Sequence, residues 1–332
     1  MKKSRVLEKK ELQDIFVSVV IVVRPETEDL DKYVRGLFKL LNTSYTNYEI
    51  IVVDNGANVN EFQLIANLLD ELPCVRLIRL SQNFKFDTAL FAGLDVSIGD
   101  YVCTLDIATD PVNNIKRLVE KNKTVDVVQG VSEIPIKGVF GTQIGRRLFY
   151  WYNRKYIGID IPLNATYHSS YSRRAINSLT AQSGRHHRHI RHMARRIGFN
   201  YEVMPYVPLI NPSSQRKLRT GIVEALEIVT SYSTHPLRFV TWLGVIAGTV
   251  NVLYAVYVLI LNIAGFNLTP GWTSTSMQLS LMFFILFAVL VILAEYIGRI
   301  LTETHRDPQY LIADELTSTV SIADVNRKNT TR

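Results

Sequence analysis

The sequence predicts an α/β fold, with a doubly wound and mostly parallel sheet, joined to a membrane-spanning end. Three observations predict it. Apolar, β-branched runs alternate with helical apolar spacing through residues 16–131, as strands and helices do in βαβ units. Acidic and turn-forming residues follow these runs, at the positions where such sheets bind ligands. An apolar block without Lys, Arg, Asp or Glu fills residues 239–294.

The individual elements follow from the chain in order. Buried parallel strands are expected where β-branched residues run continuously, and helices where apolar residues recur three and four positions apart. The predicted strands are 16–23, 48–53, 75–80, 101–105 and 125–131, and the predicted helices are 29–41, 61–72, 88–96 and an aromatic, basic helix within 138–157.

The apolar block predicts two transmembrane helices, at about 239–263 and 277–297. Gly and Pro residues within 265–271 divide the block, and each part has the roughly 20 residues that a bilayer requires. Lys and Arg flank the pair on its two outer sides, while the loop 264–276 carries no charge. By the positive-inside rule we expect a multi-pass protein of the inner (cytoplasmic) membrane, with both termini in the cytoplasm.

Four parts of the chain are expected: a cytoplasmic ligand-binding domain at 1–212, amphipathic juxtamembrane helices at 213–237, the transmembrane helices within 238–301, and a cytoplasmic tail at 302–332 that is flexible after residue 313. The charged N-terminus does not resemble a cleavable signal peptide. Two cysteines are too few for a disulfide framework or a zinc site. The net charge of +7 suits an anionic membrane surface, and solubility alone explains part of it. We expect no nucleic-acid partner.

The chemistry is expected on one loop. The segment Gly99-Asp-Tyr-Val-Cys-Thr-Leu-Asp-Ile-Ala-Thr-Asp-Pro111 places Asp106 and Asp110 directly after the fourth strand. Two carboxylates on one tight loop can hold a divalent cation, and that cation would neutralise a diphosphate. The alternative is that Asp110 caps the next helix, with Pro111 at its first position.

Neighbouring motifs resemble a known family. Ser81-Gln-Asn-Phe84, Ala92-Gly-Leu94 and Gly99-Asp-Tyr101 are similar to the middle of family-two glycosyltransferases, in particular the branch that acts on polyprenyl phosphates. That branch includes dolichyl-phosphate mannose synthases and undecaprenyl-phosphate sugar transferases. The resemblance implies a GT-A-like sheet that binds a nucleotide-diphospho-sugar.

The membrane end carries the same resemblance. Pro270-Gly-Trp-Thr-Ser274 and Glu295-Tyr-Ile-Gly-Arg-Ile-Leu-Thr-Glu303 look like the second transmembrane helix and the tail of the undecaprenyl-phosphate enzymes. The resemblance therefore extends over about residues 17–312. It implies polyprenyl phosphate and the lipid bilayer as partners, and a homo-oligomer.

Several motifs depart from the family pattern, among them the base and lid motifs considered below and two motifs at strand ends. The usual Asp-x-Asp-Leu-Gln-Asp-Pro reads Asp106-Ile-Ala-Thr-Asp110-Pro111 here, one residue shorter and without the second acid. The usual Pro-x-Tyr-Asn-Glu keeps Glu26 but has Arg24 and Pro25 in place of Tyr-Asn. One carboxylate fewer weakens a Mg²⁺ site.

The resemblance also implies which residues bind the donor. Asp54, in Ile51-Val-Val-Asp-Asn-Gly56, and Glu26 would contact the nucleoside, with Asn83 beside them. A strand-terminal Asp can accept hydrogen bonds from a base or from sugar hydroxyls, although a turn Asp before Asn-Gly explains the same residue. The family lid, usually Arg-x-x-Gly-x-Ser-Lys-Tyr, would place its diphosphate contacts on Arg216 and Lys217.

The position of the family's proposed catalytic base falls on Tyr167 or His168, where the family has an acid. His168 is the nearest substitute, because imidazole can take a proton near neutral pH. Lone histidines in apolar segments are more often structural. The acceptor phosphate oxygen is already anionic, so a missing base need not prevent transfer.

A basic stretch follows, at 183–192. Its guanidinium groups at Arg185, Arg188 and Arg191 can bind the acceptor phosphate in bidentate geometry. The interleaved histidines allow a metal-site interpretation, and a solvated or lipid-facing basic surface is the simpler alternative.

These features together predict a membrane glycosyltransferase. It would move one sugar from a nucleotide-diphospho-sugar to polyprenyl (undecaprenyl) phosphate on the cytoplasmic face, for cell-envelope glycan modification, with Mg²⁺ or Mn²⁺ at Asp106 and Asp110. The departures leave two alternatives open. One is a degenerate homologue that binds lipid or partners without transferring sugar, and the other is altered chemistry with an unusual donor or a metal-independent site.

Overall fold

A computed structural model of the chain describes residues 12–25, 27, 29–134, 147, 150–157, 161–181, 189–210, 242–244, 246–250, 253, 260, 271–304 and 310–318. These residues belong to two compact units. One unit contains all the described strands, and the other contains a long apolar helix. Each unit is described by itself below.

The first unit is an α/β domain. Its strands are β1 (Gln13–Val23), β2 (Tyr45–Asp54), β3 (Val75–Leu80), β4 (Tyr101–Leu105), β5 (Val127–Ser132), β6 (Ala165–Ser172), β7 (Tyr201–Tyr206) and β8 (Ile312–Thr317). Its helices are α1 (Leu30–Asn42), α2 (Val59–Glu71), α3 (Phe86–Val96), α4 (Ile115–Asn122), α5 (Arg173–Thr180) and α6 (Ile190–Arg196), with a short 3₁₀ turn at Val112–Asn114.

The strands form one sheet in the order β7-β5-β6-β4-β1-β2-β3-β8. Strands β1 to β5 and β7 point the same way, while β6 and β8 run antiparallel to their neighbours. The predicted mostly parallel α/β sheet is therefore confirmed. Helical crossovers connect β1 to β2, β2 to β3 and β3 to β4, and such crossovers join strands that run parallel in one sheet.

Helices cover both faces of the sheet, which makes the fold doubly wound. Val19 of β1 faces a core that includes Leu37 and residues of α1, α2 and α4. Val20, the next residue, faces the opposite core with Leu90 of α3 and residues of α5 and α6. A strand buried on both faces is mostly apolar, which is why residues 19–23 of β1 are apolar without interruption instead of alternating.

Helix α3 lies especially close to the sheet. A Cβ atom added at Gly93 would stand 2.3 Å from Cγ1 of Val20 and 2.9 Å from Cγ2 of Val53, so only glycine allows this approach. The close packing fixes α3, whose first turn borders the end of β1.

The C-terminal segment differs from its prediction. Residues after 313 were expected to form a flexible tail, but 312–317 form β8 on the edge of β3. Arg76 explains the difference, because its buried guanidinium donates to Glu49 at 3.0 Å and to Glu315 at 2.7 Å. Ser318 also exchanges hydrogen bonds with Val75. A polar, charged strand thus covers a sheet edge that would otherwise be open.

The second unit contains α7 (Trp272–Thr304), a helix of 33 residues. Within it, Leu281–Gly298 is long and apolar enough to cross a membrane, and no part of this window is buried. The other predicted membrane helix, 239–263, and the juxtamembrane helices at 213–237 fall mostly or wholly outside the described residues, although 242–244 and 246–250 are helical. The two-helix hairpin and its orientation stay predictions.

Candidate functional site

The carboxyl ends of the parallel strands meet along one side of the sheet, called here the ligand edge. Val23 of β1 pairs with Asp54 of β2, and Ile21 of β1 pairs with Leu105 of β4. The loops after β1, β2, β3 and β4 therefore lie side by side. The ligand edge predicted from the strand order thus gathers Asp54, Asn83, Asp106 and Asp110 on neighbouring loops.

A cavity of about 480 Å³ opens beside the end of β2. Its lining, called the edge cavity, consists of Asp54, Gly56, Ala57, Arg79, Leu80, Ser81, Gln82, Ala313 and Asp314. Asp54 is 2% exposed, and its Oδ1 atom accepts a hydrogen bond from the Ala57 backbone at 2.7 Å. Its Oδ2 atom lies 3.5 Å from Nε of Arg79. Asp54 thus stabilises the turn after β2 and also orients the Arg79 guanidinium at the cavity wall.

Two loops are locked together next to this cavity. The Asn55 side chain donates to the Phe84 carbonyl at 2.9 Å and accepts from the Phe84 amide at 2.8 Å. Gly56 has φ +85°, and a Cβ atom there would approach Asn83 at 3.2 Å. The Asn-Gly dipeptide is needed for this contact, because a left-handed backbone next to a second loop favours glycine. Asn83 itself is exposed beside the turn.

Strand β8 contributes to the cavity from the far end of the chain. Ala313 and Asp314 line it opposite Asp54 and Arg79, and Asp314 pairs in register with Arg79. The sequence prediction missed these two residues, because polar residues without strand periodicity carry no sign of a sheet edge.

At the other side of β1, Asp106 is bound by an arginine. One terminal nitrogen of Arg24, Nη2, donates to both Asp106 carboxylate oxygens at 3.1 Å. The Arg24 guanidinium also lies over the Phe86 ring, 5.0 Å from its centre. The Arg24 side chain is 45% exposed and that of Asp106 is 19% exposed. Each residue follows its strand directly, so the pair bridges the ends of β1 and β4.

Asp110 is fully buried and turns away from that pair. Its Oδ2 atom accepts from the Asp106 backbone at 2.8 Å, while Oδ1 accepts from the hydroxyls of Thr109 at 3.0 Å and Tyr206 at 2.5 Å. Burial raises the pKa of Asp110 to about 7, against the opposing effect of these hydrogen bonds. The helix-cap alternative is wrong, because Pro111 holds the cap position of the next turn and the Asp110 side chain points backwards.

His168 lies beneath Asp110 on β6 and has no exposed surface. Its Nδ1 atom is 3.8 Å from Oδ2 of Asp110, and its ring packs on Tyr206 at 4.6 Å between centres. Neither ring nitrogen has a hydrogen-bond partner among the described residues. Burial lowers the pKa of His168 to about 3, so the imidazole is neutral. In this arrangement a substrate cannot touch it.

The two loop carboxylates do not fit a divalent cation as they stand. Arg24 occupies both oxygens of Asp106, and the oxygens of Asp110 accept hydrogen bonds inside the domain. Within the described part of the chain, no three His, Cys, Asp or Glu side chains are grouped so as to hold a metal. The charged group exposed at this place is therefore the Arg24 guanidinium, bound to the Asp106 carboxylate.

A second acidic centre adjoins Phe86 on α3. Asp87 accepts from the Tyr167 hydroxyl at 2.8 Å and from the Ile190 backbone at 3.1 Å. Burial raises its pKa, but a hydrogen bond from His189 and the nearby Arg191 outweigh that effect and hold the pKa below its ordinary value. An acid from another element, Asp87 of α3, thus lies beside Tyr167, where the resemblance predicts an acid.

Arg191 is built into this centre. Its guanidinium donates to the Ala165 carbonyl at 2.9 Å and lies 4.7 Å from the centre of the Tyr167 ring. Tyr167 packs in turn on Phe86, with 4.6 Å between ring centres. Arg24 and Arg191 therefore flank one aromatic pair, Phe86 and Tyr167, from its two sides.

Several predicted site residues lie outside the described residues. They are Glu26, Arg185, Arg188, Arg216 and Lys217. Sequence reasoning in turn missed Arg24, Asp87 and Tyr206 as parts of the site. The only sequence signal for Arg24 was its departure from the family pattern at the end of β1.

Residues 18–180 match the family model described as glycosyl transferase family 2. This match confirms the resemblance seen in the motifs. A bactoprenol glucosyl transferase of Shigella phage SfX is 26% identical over 89% of this chain and 98% of that protein. An uncharacterized glycosyltransferase of Bacillus subtilis, YkcC, is 24% identical over 89% of this chain and 92% of that protein.

Solved structures are more distant. A glucosyl-3-phosphoglycerate synthase from Mycobacterium tuberculosis, in complex with Mn²⁺, UDP and phosphoglyceric acid, is 16% identical, with a TM-score of 0.45 over 65% of this chain and 76% of that one. A likeness at this level is too remote to assign ligands.

Proposed function

We propose that this chain, which belongs to glycosyl transferase family 2, moves one sugar from a nucleotide-diphospho-sugar to a polyprenyl phosphate. The observation that carries the proposal is the edge cavity beside Asp54, at the ligand edge of the matched domain. Ligands of open α/β sheets bind outside the carboxyl ends of the strands, which is where this cavity lies.

The donor would lie along the ligand edge. Its nucleoside fills the edge cavity, with Asp54 and Arg79 at the wall and Asn83 and Glu26 close by. Its diphosphate runs past the end of β1 towards Asp106. Neighbouring strands are about 4.8 Å apart, so the path from β3 to β4 covers about 14 Å. An extended nucleotide-sugar can follow such a path, with Arg216 and Lys217 closing over the diphosphate.

The acceptor would approach from the side of Arg191. Phe86 and Tyr167 separate Arg24 from Arg191, so a guanidinium stands on each side of one aromatic pair. This arrangement favours two phosphate groups held apart, with the donor diphosphate on the Arg24 side and the polyprenyl phosphate on the other. Arg185 and Arg188, on the same basic stretch as Arg191, are proposed as further acceptor contacts.

The reaction requires no proton abstraction. An oxygen of the acceptor phosphate dianion forms a bond to C1 of the sugar, and the bond between C1 and the donor diphosphate breaks. The nucleoside diphosphate leaves with one more negative charge, and the polyprenyl phosphate keeps one fewer. Direct attack inverts the configuration at C1. The protein has to orient the two phosphates and stabilise the charge on the leaving diphosphate.

In this scheme Asp110 and His168 do not contact the substrates; they position the loop after β4. Asp110 binds the backbone of Asp106 and the hydroxyl of Tyr206, and it thereby fixes the loop that presents Asp106. His168 packs under that loop.

The membrane setting is part of the proposal. Relatives named bactoprenol glucosyl transferase match nearly their whole length, and the window Leu281–Gly298 can cross a bilayer. We place the catalytic domain and both termini on the cytoplasmic side of the inner membrane, with a second span at about 239–263. The lipid-linked sugar would serve cell-envelope glycan modification, and the chain would act as a homo-oligomer.

The test is nucleotide release by the detergent-purified full chain with undecaprenyl phosphate. The donors are UDP-glucose, UDP-GlcNAc, UDP-galactose and GDP-mannose, each with Mg²⁺, with Mn²⁺ and with a chelator. Asp54→Asn should raise the donor KM about tenfold or more, because its amide would face Arg79 in place of a carboxylate oxygen. Asp31→Asn, an equal change on the outer surface of α1, should leave the KM unchanged.

Two results would contradict the proposal. One is an Asp54→Asn enzyme with an unchanged donor KM, which would move the nucleoside out of the edge cavity. The other is nucleotide binding in calorimetry without turnover of any donor, which favours the binding protein without transferase activity.

A further inference from the structure

The pair formed by Arg24 and Asp106 joins two of the motifs that depart from the family pattern. The residues are 82 positions apart in the sequence, and each follows the end of a parallel strand. Asp106 lacks the second acid that would complete a metal site, and Arg24 supplies a cation at the same place. A guanidinium bound to both carboxylate oxygens occupies the face of Asp106 that a metal ion would need.

The surroundings hold Arg24 in this position. Its backbone amide donates to the Thr27 hydroxyl at 2.9 Å, and its carbonyl accepts from the Thr27 amide at 3.0 Å, so the turn after β1 is fixed. The Phe86 ring supports the guanidinium on one face. Because Phe86 opens α3, the close packing of that helix on the sheet also fixes the ring.

The guanidinium still has unused donors. Nη2 alone contacts Asp106, while Nε and Nη1 have no partner among the described residues. Nearly half of the side chain is exposed at the ligand edge, one strand away from the edge cavity. Planar N–H pairs match phosphate oxygens in bidentate geometry.

We infer that Arg24 takes the place of the divalent cation: held by Asp106, it binds the diphosphate of the donor, and transfer proceeds without Mg²⁺ or Mn²⁺. This inference rests on the proposed function and names a catalytic residue for it. When the bond from C1 to the diphosphate oxygen breaks, that oxygen gains the electron pair and one negative charge. Arg24 donates N–H groups to it, and no proton is transferred.

The electrostatics define the role of each partner. Arg24 and Asp106 together carry no net charge. The pair therefore stabilises the leaving diphosphate through N–H groups directed at it, not through excess positive charge. Asp106 orients the guanidinium and prevents it from moving away with the product. A metal ion could bind only after Arg24 leaves Asp106, so the two cations exclude each other.

Calorimetry with a chelator present tests binding separately from sugar transfer. The full chain is titrated with UDP, GDP, uridine and guanosine in EDTA. Arg24→Gln should weaken binding of the diphosphate about 10- to 150-fold, the range of a hydrogen bond to a charged group, and leave nucleoside binding unchanged. Arg24→Lys should restore part of the loss. Arg35→Gln is the matched control, since Arg35 is equally exposed and pairs with carboxylates on α1 and α2.

Activity gives the second measurement. The wild-type rate should be the same in EDTA and in Mn²⁺, and Arg24→Gln should lower kcat in EDTA about 100-fold or more, the usual cost of removing one donor to a developing negative charge. The inference is overturned if EDTA abolishes diphosphate binding by the wild type, or if Arg24→Gln binds UDP and GDP as the wild type does. If no donor is turned over but the binding difference is found, the proposed function fails and the Arg24 diphosphate site stands.

Discussion

The ligand edge has two ends that are built differently. At one end the loops after β2 and β3 surround an open cavity, with a carboxylate and a guanidinium at its wall. At the other end the loop after β4 packs on buried polar side chains, and Asp110, Tyr206 and His168 have almost no exposed surface. The first end is shaped to receive a ligand. The second end is shaped to hold one loop still.

The difference suggests separate roles in the proposed reaction: the cavity end would bind the nucleoside, and the loop end would contact the diphosphate. The cavity end keeps the motif around Asp54 that resembles the family, and polar side chains such as Arg79 are exposed there. The loop end has lost a family acid and has instead internal hydrogen bonds and one paired arginine. Buried polar networks whose members are all hydrogen-bonded hold their surroundings rigid. At this end Arg24 and Asp106 reach solvent, and the proposed role of the loop end rests on them.

Removal of β8 should have the largest effect on the cavity end. Deletion of 310–332 takes away Ala313 and Asp314 and leaves buried Arg76 with Glu49 and the Val96 carbonyl as partners. We expect donor binding at least about tenfold weaker and an unfolding free energy lower by about 1 kcal/mol or more, because Arg76 loses the half-exposed Glu315 and the Val75 amide loses the Ser318 hydroxyl. Calorimetry and denaturant unfolding in detergent measure both quantities.

A shorter deletion is the control for β8. Removal of 319–332 keeps the strand and should leave donor binding as in the wild type. If both deletions weaken binding equally, β8 is not what completes the cavity, and the contrast between the two ends loses its structural basis.

The strands of the parallel core and the ligand edge could be predicted from the sequence. Buried strands such as β1 are apolar at successive positions, and the chain order of strands and helices then fixes where their ends meet. Strands β6 and β8 could not, because residues such as Ser169 and Glu315 are polar and are stabilised by strands distant in the sequence. The partner of Arg24 was hidden for the same reason.

Asp110 should make the loop end sensitive to pH, as an effect of intermediate size. Its pKa is about 7 in the folded protein because of burial, against about 4 for an unfolded aspartate. The folded state thus binds more protons between these values. The stability that this group contributes is fully present below about pH 4 and is lost as the pH rises through about 7.

Asp110→Asn removes that titration. The unfolding free energy of the wild type minus that of the variant should decrease between pH 5 and pH 7, by up to about 1.4 kcal/mol for each pH unit. Denaturant unfolding at pH 5, 6, 7 and 8 measures the difference. A difference that stays constant or grows with pH would show that Asp110 is not a buried acid of raised pKa.

His168→Leu should have the smallest effect, and it tests the contrast most directly. A catalytic base contributes about 100- to 10,000-fold to the rate, so its loss would be plain in kcat. The buried His168 ring has a pKa near 3 and two nitrogens without partners among the described residues, and it faces a loop instead of a substrate. Leucine keeps the packing on Tyr206 and removes two buried polar atoms that make no hydrogen bond.

We therefore expect kcat within about twofold of the wild type and an unfolding free energy within about 1 kcal/mol of it, or higher. A folded His168→Leu protein with a kcat lower by about 100-fold would instead make the loop end a catalytic centre in its own right, with a histidine that must become accessible during the reaction.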